Sequence, residues 1–326
     1  MSPLSNVTIV LACGVAFAGN AGAQAQTRDY PARAVRIVVP TSPGGILDVV
    51  IRLMAPRISE LMGQSLVVDN RPGVSTNIGS ELVARATGDG YTLLTNSQPL
   101  VVNPSLFAKM AFDVEKDLTP ITLLTAAPYV LVVHPSVPAQ SVKDLLALAR
   151  AKPGALNYAS GGNGTNFHIA IELFNNLSGA KLTHVPYKGG GLAMASVIGG
   201  ETDITMPSVA AALPQIRAGR LRALGITSTR RSTLLPQAPT LSEAGVSGYE
   251  FSAWVGVLAP ASTPPALGAA INSYWVKAAR SPEVTSRLTS DGNDVVAGTA
   301  AEFAALIKAE LPRWRKVIRD SGIRAE

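Results

Sequence analysis

Short apolar runs rich in β-branched residues alternate along the chain with longer stretches that suit helices. Strands are predicted at 35–39, 66–68, 91–95, 130–133, 157–159, 183–185, 203–205, 221–226 and 251–258. Helices are predicted at 46–62, 78–86, 141–152 and 166–177, and two more follow the last strand. Strands that alternate with helices in this way are typical of βαβ units and parallel sheets. Pro56 falls inside the first helix, where it is expected to kink or locally break it.

One device occurs twice in this pattern. The strand at 35–39 leads through Thr41–Gly45 into a helix, and the strand at 157–159 leads through Ser160–Thr165 into another. Glycines allow a tight turn and let a ligand approach the backbone. The helix start then offers free N–H groups and partial positive charge to an anion. Two such turns facing each other predict a site that grips both ends of a doubly charged acid.

The N-terminal segment has the features of a secretory signal peptide. Residues 1–25 carry no charged side chain, residues 7–18 are apolar, and small-x-small sites predict cleavage near Ala23 or Ala25. We therefore expect export to the periplasm. Cys13, the only cysteine of the chain, lies in this segment, so a mature chain would have no thiol for a disulfide or a metal.

Composition and motifs argue against several other functions. The net charge of +6 comes from scattered Lys and Arg residues that are not interleaved with aromatic residues, so we expect no nucleic-acid partner. No Walker sequence, dinucleotide fingerprint, Gly-x-Ser-x-Gly or His-Glu-x-x-His occurs, so neither a cofactor nor a metal is expected. Of the three histidines, His168 lies in the first turn after the second Gly-rich segment, which favours ligand contact.

Many short motifs, in order from Tyr30 to about Ile323, resemble the solute receptors of the tripartite tricarboxylate transporter (Bug/TctC-like) family. They include Pro43-Gly44-Gly45 with Asp48, Asp69-Asn70-Arg71-Pro72-Gly73, Asn77-Ile78-Gly79, Asp89-Gly90-Tyr91-Thr92-Leu93, Leu156-Asn157-Tyr158-Ala159-Ser160, His184-Val185-Pro186-Tyr187-Lys188-Gly189 and Ala218-Gly219-Arg220-Leu221.

The resemblance implies a type II periplasmic-binding-protein fold: two βαβ domains joined by a hinge that the chain crosses twice, with a ligand cleft between them. Residues 26–126 and 247–326 would form the first domain and residues 127–246 the second. The resemblance also implies a binding protein, not an enzyme, that works as a monomer with inner-membrane transporter subunits. Its expected ligand contacts are Ser42, Pro43, Gly44, Gly45, Ile46, Leu47 and Asp48, then Ser97 and Gln98, then Ser160, Gly161, Gly162, Asn163, Gly164, Thr165, Asn166 and His168, and finally Pro207 and Ser208.

Two departures from the family pattern concern the ligand. Ile46-Leu47 replaces small polar residues, and Met206-Pro207-Ser208 lacks an acidic side chain that could pair with a ligand ammonium. Both changes make the cleft more apolar and disfavour an amino acid. We therefore expect an aromatic mono- or dicarboxylate of about the size of terephthalate, with its ring against Ile46 and Leu47.

Three alternatives stay open at this point. The ligand could be an aliphatic di- or tricarboxylate, and the closed receptor could dock on a signalling kinase instead of a permease. An enzyme on this fold would need a proton-transfer pair, for which Asp48 and His168 are the available residues.

Overall fold

The computed structural model describes residues 30–322, so the predicted signal peptide, 1–25, lies outside the described residues. The strands are β1 Val35–Val39, β2 Leu66–Asn70, β3 Thr92–Asn96, β4 Leu118–Pro128, β5 Val130–Val133, β6 Asn157–Ser160, β7 Thr183–Pro186, β8 Ile204–Thr205, β9 Arg222–Ile226, β10 Ser252–Pro260 and β11 Asp294–Val295. The helices are α1 Ile46–Met62, α2 Asn77–Ala84, α3 Pro99–Leu106, α4 Val114–Asp117, α5 Val142–Ala151, α6 Asn166–Ser178, α7 Gly190–Ile198, α8 Val209–Arg217, α9 Pro265–Ala279, α10 Pro282–Ser290 and α11 Ala300–Ser321.

The strands form two separate mixed sheets. The six-stranded sheet has the order β11-β4-β10-β3-β1-β2, and β1, β2 and β3 are parallel in it. The five-stranded sheet has the order β7-β6-β8-β5-β9, and β6, β7 and β8 are parallel in it. We call the first sheet with its helices lobe 1 and the second with its helices lobe 2. The βαβ prediction holds for the parallel strands, while β4, β5, β9, β10 and β11 add antiparallel pairs.

The chain crosses between the lobes at two places that lie side by side. The first crossing joins β4 to β5 at Tyr129, and the second joins β9 to β10 through residues 227–251. The Tyr129 N–H donates to Thr227 Oγ1 at 2.7 Å, and the Phe251 N–H donates to the Thr227 carbonyl at 2.8 Å. A hinge crossed twice between two α/β units is the predicted two-domain binding fold, which is confirmed. The boundaries at 126/127 and 246/247 stay a prediction.

The C-terminal part differs from the predicted pair of helices. Three helices, α9, α10 and α11, follow β10, and the short strand β11 interrupts them. The longest, α11, starts at a complete capping box formed by Thr299 and Glu302. Its buried residues Phe303 and Trp314 belong to an apolar cluster that also contains Phe174 of lobe 2. This helix therefore contributes to a core that both lobes share.

Pro56 does not break α1, which is continuous from Ile46 to Met62. The apolar residues Val50, Ile51, Met54 and Ile58 lie on one face of this helix and are almost completely buried against the first sheet. Ser59, one turn after the proline, donates to the Ala55 carbonyl at 2.8 Å and accepts from the Leu66 N–H at 2.9 Å. The stabilisation from packing of the apolar face thus outweighs the loss of the hydrogen bond that Pro56 cannot donate.

Candidate functional site

The helix starts of the two lobes face each other. In lobe 1, α1, α2 and α3 begin directly after the parallel strands β1, β2 and β3, and in lobe 2, α6, α7 and α8 begin directly after β6, β7 and β8. Parallel strands end at one edge of their sheet, so three helix starts gather at one edge of each lobe. A Cβ atom built on Gly164 of lobe 2 would lie 2.8 Å from Leu106 Cδ2 and 3.7 Å from Ser75 Oγ of lobe 1. The start of α6 therefore lies against lobe 1, beside the turn that precedes α2 and the last residue of α3.

The two predicted loops share the backbone conformation of the last two residues before the helix. We call residues 42–48 the first loop and residues 160–168 the second loop. Gly44 and Gly164 have φ values of 83° and 75°, in the left-handed region that glycine adopts without strain. The residues that precede the helices, Gly45 and Thr165, have φ/ψ values of −70°/163° and −70°/160°. The duplicated pattern in the sequence thus corresponds to a duplicated structure.

A side chain in the first turn of the helix closes each loop. Asp48 Oδ2 accepts from the Gly44 N–H at 2.9 Å, and His168 Nδ1 accepts from the Gly164 N–H at 3.0 Å. Each acceptor is the third residue of its helix. Among the described residues, the N–H groups of 46–48 and 166–168 have no acceptor. Each loop therefore presents three consecutive N–H groups, which is the arrangement that binds carboxylates and phosphates.

Asp48 is charged, and residues next to the first loop compensate its charge. Arg52 Nε donates to Oδ1 at 2.8 Å, and Asn70 Nδ2 donates to the same oxygen at 3.0 Å. Burial alone would raise the pKa of Asp48, but the hydrogen bonds from Gly44, Asn70 and Arg52 outweigh it and lower the pKa below its ordinary value. The carboxylate thus shapes the first loop and stays ionised.

His168 is neutral, and a second histidine supports it. Its ring lies face to face with that of His184, with centroids 4.1 Å apart and an interplanar angle of 10°. Burial, followed by the neighbouring His184, lowers the pKa of His168 to about 3, and burial lowers that of His184 to about 4. His184 Nε2 lies 2.6 Å from Ser160 Oγ, which itself accepts from the Gly162 N–H at 3.1 Å. The two rings hold the second loop without adding charge.

The predicted contact residues differ in their solvent exposure. Ser42, Pro43, Gly44, Ile46 and Asn163 are exposed, Gly45, Gly161, Gly162, Thr165 and Asn166 are half-buried, and Leu47, Asp48, Ser160, Gly164 and His168 are buried. The prediction that the Leu47 side chain lines the cleft is wrong. Only 1% of Leu47 is exposed, because it packs with Val50 and Ile51 in the core of lobe 1, whereas 42% of Ile46 is exposed.

The remaining predicted residues lie at the same edges, and hydrogen bonds within the protein involve the side chains of Gln98 and Ser208. Gln98 is buried and joins α3 to β10: its amide donates to the Ser252 carbonyl and accepts from the Trp254 N–H. Ser97 is buried beside it. In lobe 2 the Pro207 carbonyl accepts from the Val130 N–H, and the Ser208 hydroxyl caps α8. The structure therefore brings these residues to the two edges, where they hold the strands and helix starts in place.

Two parts of the site are missing from the sequence prediction. One is the turn at 73–77 before α2, which approaches Gly164. The other is the start of α7, where a Cβ on Gly161 would lie 2.9 Å from the Gly190 nitrogen. Both contain glycines that could have been recognised as further strand-to-helix turns: Gly73 in one and Gly189-Gly190-Gly191 in the other.

Within residues 30–322, no helix combines the length and the apolar character needed to cross a membrane. In the same range, His, Cys, Asp and Glu residues form no group of three or more that could hold a metal ion.

The fold and the paired loops define a two-lobe α/β binding protein, and comparisons identify its family. Residues 50–323 match the tripartite tricarboxylate transporter family receptor model. The chain belongs to this family. It is similar to the UPF0065 protein in the tcbD-tcbE intergenic region of Pseudomonas sp. (strain P51), with 38% identity over 96% of this chain and 94% of the relative. It is also similar to Protein BugT of Bordetella pertussis, with 36% identity over 97% of this chain and 98% of the relative.

Solved structures agree with this assignment. R. palustris Rpa4515 with adipate has a TM-score of 0.80 and 35% identity, covering 91% of this chain and 99% of its own. MatC from Rhodopseudomonas palustris with bound malate has a TM-score of 0.78 and 30% identity, covering 89% of this chain and 100% of its own. The sequence-based family prediction is therefore confirmed.

Proposed function

We propose that this protein is a periplasmic receptor that captures a small carboxylate between its lobes and delivers it to the membrane subunits of a tripartite tricarboxylate-type transporter. One observation carries this proposal: two loops that end in the same backbone turn, one in each lobe, present N–H groups without an acceptor at the edges where the helices start. Membership of a receptor family and relatives whose structures hold adipate and malate support it.

The backbone N–H groups of the two loops suit an anionic ligand, and they can bind it without a charged side chain. A hydrogen bond between a backbone N–H and a carboxylate is charge-assisted and contributes about 1.5–3 kcal/mol. Two carboxylates, each held by several such bonds, reach micromolar affinity or better, roughly −8 kcal/mol. A ligand stabilises the closed arrangement only if it touches both lobes, which a molecule with two carboxylates does most directly.

The ligand that we favour has an apolar body between its carboxylates. Ile46, at the start of α1, is 42% exposed beside the first free N–H groups. The adipate found in Rpa4515 is likewise a dicarboxylate with an apolar middle. We propose an aromatic dicarboxylate of about the size of terephthalate, with Ile46 and not Leu47 against its ring. An aliphatic dicarboxylate is the alternative.

A binding screen tests both proposals, that the protein is a carboxylate receptor and that its ligand is an aromatic dicarboxylate. Calorimetry of the mature protein with terephthalate, adipate, malate, citrate and glutamate should give the tightest binding for terephthalate. Tight binding of citrate or glutamate with none of the aromatic acid would contradict the ligand proposal. No binding of any carboxylate, in calorimetry or in a thermal-shift assay, would contradict the receptor proposal.

Thr165→Ala tests the second loop. The Thr165 hydroxyl donates to the Gly162 carbonyl at 2.8 Å and so shapes the loop next to its free N–H groups. We expect roughly fivefold weaker binding, because one loop-shaping hydrogen bond of about 1 kcal/mol is lost. Thr183→Ala is the matched control, since Thr183 makes the same bond to the Gly154 carbonyl at 2.8 Å outside the loop. Equal affinities of the two variants would place the site elsewhere.

The contacts of Asp48 and His168 do not support a catalytic alternative. Both Asp48 oxygens accept hydrogen bonds, and His168 uses Nδ1 for the Gly164 N–H. The two residues belong to loops of different lobes, and each is committed to its own loop. Unchanged ligand after long incubation, measured by chromatography, is the expected result.

A further inference from the structure

The turn before α2 has an unusual backbone. Val74, Ser75 and Thr76 have φ values of 44°, 52° and 76°, so three successive residues other than glycine lie in the left-handed region. Elsewhere in residues 30–322, Ala297 is the one other such residue. A Cβ atom, and a branched side chain above all, makes this conformation unfavourable. Strain of this kind persists where the surrounding structure enforces it, and it concentrates at functional sites.

Two buried asparagines enforce the turn. Asn103 Nδ2 donates to the Ser75 carbonyl at 2.6 Å and to Asn77 Oδ1 at 2.8 Å, and its Oδ1 accepts from Ser75 Oγ at 3.2 Å. Asn96 Nδ2 donates to Ser80 Oγ at 2.8 Å and lies 3.5 Å from Thr76 Oγ1. Neither asparagine has any exposed surface. The left-handed turn is therefore a firmly held part of the structure.

The turn lies between the two loops of the candidate site. On one side, Asn70 at the end of β2, three residues before Gly73, donates through Nδ2 to the Thr41 carbonyl at 3.1 Å and to Asp48 Oδ1 of the first loop at 3.0 Å. On the other side, Ser75 Oγ is 3.7 Å from the place that a Cβ of Gly164 would take in the second loop. The turn thus forms a third wall where the lobes meet.

Two side chains at this wall are apolar and exposed. Val74 is 56% exposed, which makes it one of the most exposed large apolar residues among those described, and Ile78, in the first turn of α2, is 49% exposed. A glycine at position 74 would give the same backbone without strain. The valine side chain therefore brings both strain and apolar exposure, and neither stabilises the folded protein.

We propose that Val74 is a specificity-determining residue that packs against the apolar body of the bound dicarboxylate, held in place by Asn96 and Asn103. This inference rests on the proposed function. It assigns a further wall of the same cleft and extends the apolar surface that Ile46 begins. Binding would then bury the exposed valine, which offsets the strain of its backbone.

The test is Val74→Gly, with two measurements that should move in opposite directions. Relief of strain should raise the thermal midpoint of the ligand-free protein by about 2 °C. Loss of the apolar contact should weaken terephthalate and adipate binding by roughly tenfold. Val74→Asn separates the two effects, since asparagine tolerates the left-handed conformation but lacks the apolar surface. It should also weaken binding.

Ala297→Gly is the matched control, because it removes the other left-handed non-glycine residue, which packs in the core of lobe 1. It should leave both affinities unchanged. If wild type binds these acids and Val74→Gly binds them equally well, this inference is overturned while the proposed function stands. If wild type binds no carboxylate, both fall. A lower midpoint in Val74→Gly would show that the valine stabilises the fold and would also overturn the inference.

Discussion

The first and second loops end in the same backbone turn but close it with chemically different side chains. Both place a left-handed glycine before a helix, and both tie that glycine's N–H to the third residue of the helix. In the first loop this residue is Asp48, a carboxylate that needs Arg52 and Asn70 to compensate it. In the second loop it is His168, an imidazole kept neutral by burial and by His184.

The difference between Asp48 and His168 separates two roles of the closing side chain: fixing the shape of the loop and setting the charge next to its N–H groups. Either side chain can close the loop, since the bond requires only an acceptor. A carboxylate beside three free N–H groups reduces their attraction for an anion, whereas a neutral ring does not. We therefore expect the second loop to contribute more to affinity and the first loop to contribute more to stability.

Gly164→Ala should give the largest effect on binding. A Cβ at this position meets Leu106 across the lobe contact at 2.8 Å, and the φ of 75° disfavours any side chain. We expect roughly hundredfold weaker binding, about 2.7 kcal/mol, measured by calorimetry with adipate. Gly179→Ala is the control, with a φ of 70° at the other end of α6 and no atom within 4 Å of the added Cβ. If both variants bind alike, contact between the lobes does not govern affinity.

Asp48→Ala should give the largest effect on stability. It leaves the Gly44 N–H, Arg52 and Asn70 without their acceptor, in a place where Asp48 is only 3% exposed. We expect a loss of about 2 kcal/mol in the free energy of unfolding, measured by denaturant titration. Asp144→Ala removes the same type of bond, to the Gln140 N–H at the start of α5, on the surface. A loss no greater than that of the control would contradict the role given to Asp48.

Acid should weaken the second loop gradually. The pKa of His168 is about 3 in the folded protein and 6.5 ordinarily, so between these values the unfolded chain binds a proton that the folded protein does not. Stability then rises with pH across this window, is complete above pH 6.5, and falls by up to about 1.4 kcal/mol per pH unit for each such proton. His168→Gln should flatten the unfolding free energy between pH 4 and pH 6.

The fold could be predicted where local pattern and tertiary structure agree. β1 and α1 have the predicted bounds, because a β-branched run ends at a proline and an amphipathic run begins after glycines. The helix α3 was missed: its sequence from Pro99 to Leu106 contains two prolines and has no clear apolar and polar faces, so packing in the core and not periodicity makes it helical. The long strand β4 was missed because its two partners, β10 and β11, are distant in sequence.

The positions of the two loops could be predicted from the sequence, but the orientation and contacts of their side chains could not. Leu47 shows the reason: its spacing from Val50, Ile51 and Met54 places it on the buried face of α1, whereas its position beside Gly45 had suggested a ligand contact. The stacking of His168 on His184 was likewise out of reach, because β7 and α6 come together only in the folded lobe. The left-handed turn at 74–76 has no signal in residue type, since valine and threonine normally avoid that conformation.

The six helix starts have a consequence for how this protein can change over evolution. The groups that would hold the anion belong to the main chain, and no substitution other than one to proline removes them. An alanine scan of the cleft would find few residues whose loss abolishes recognition, and the sensitive positions would be glycines and the residues that tie them down. New ligand preferences can then arise by substitution of the side chains around the conserved backbone N–H groups, so one fold could bind many different acids.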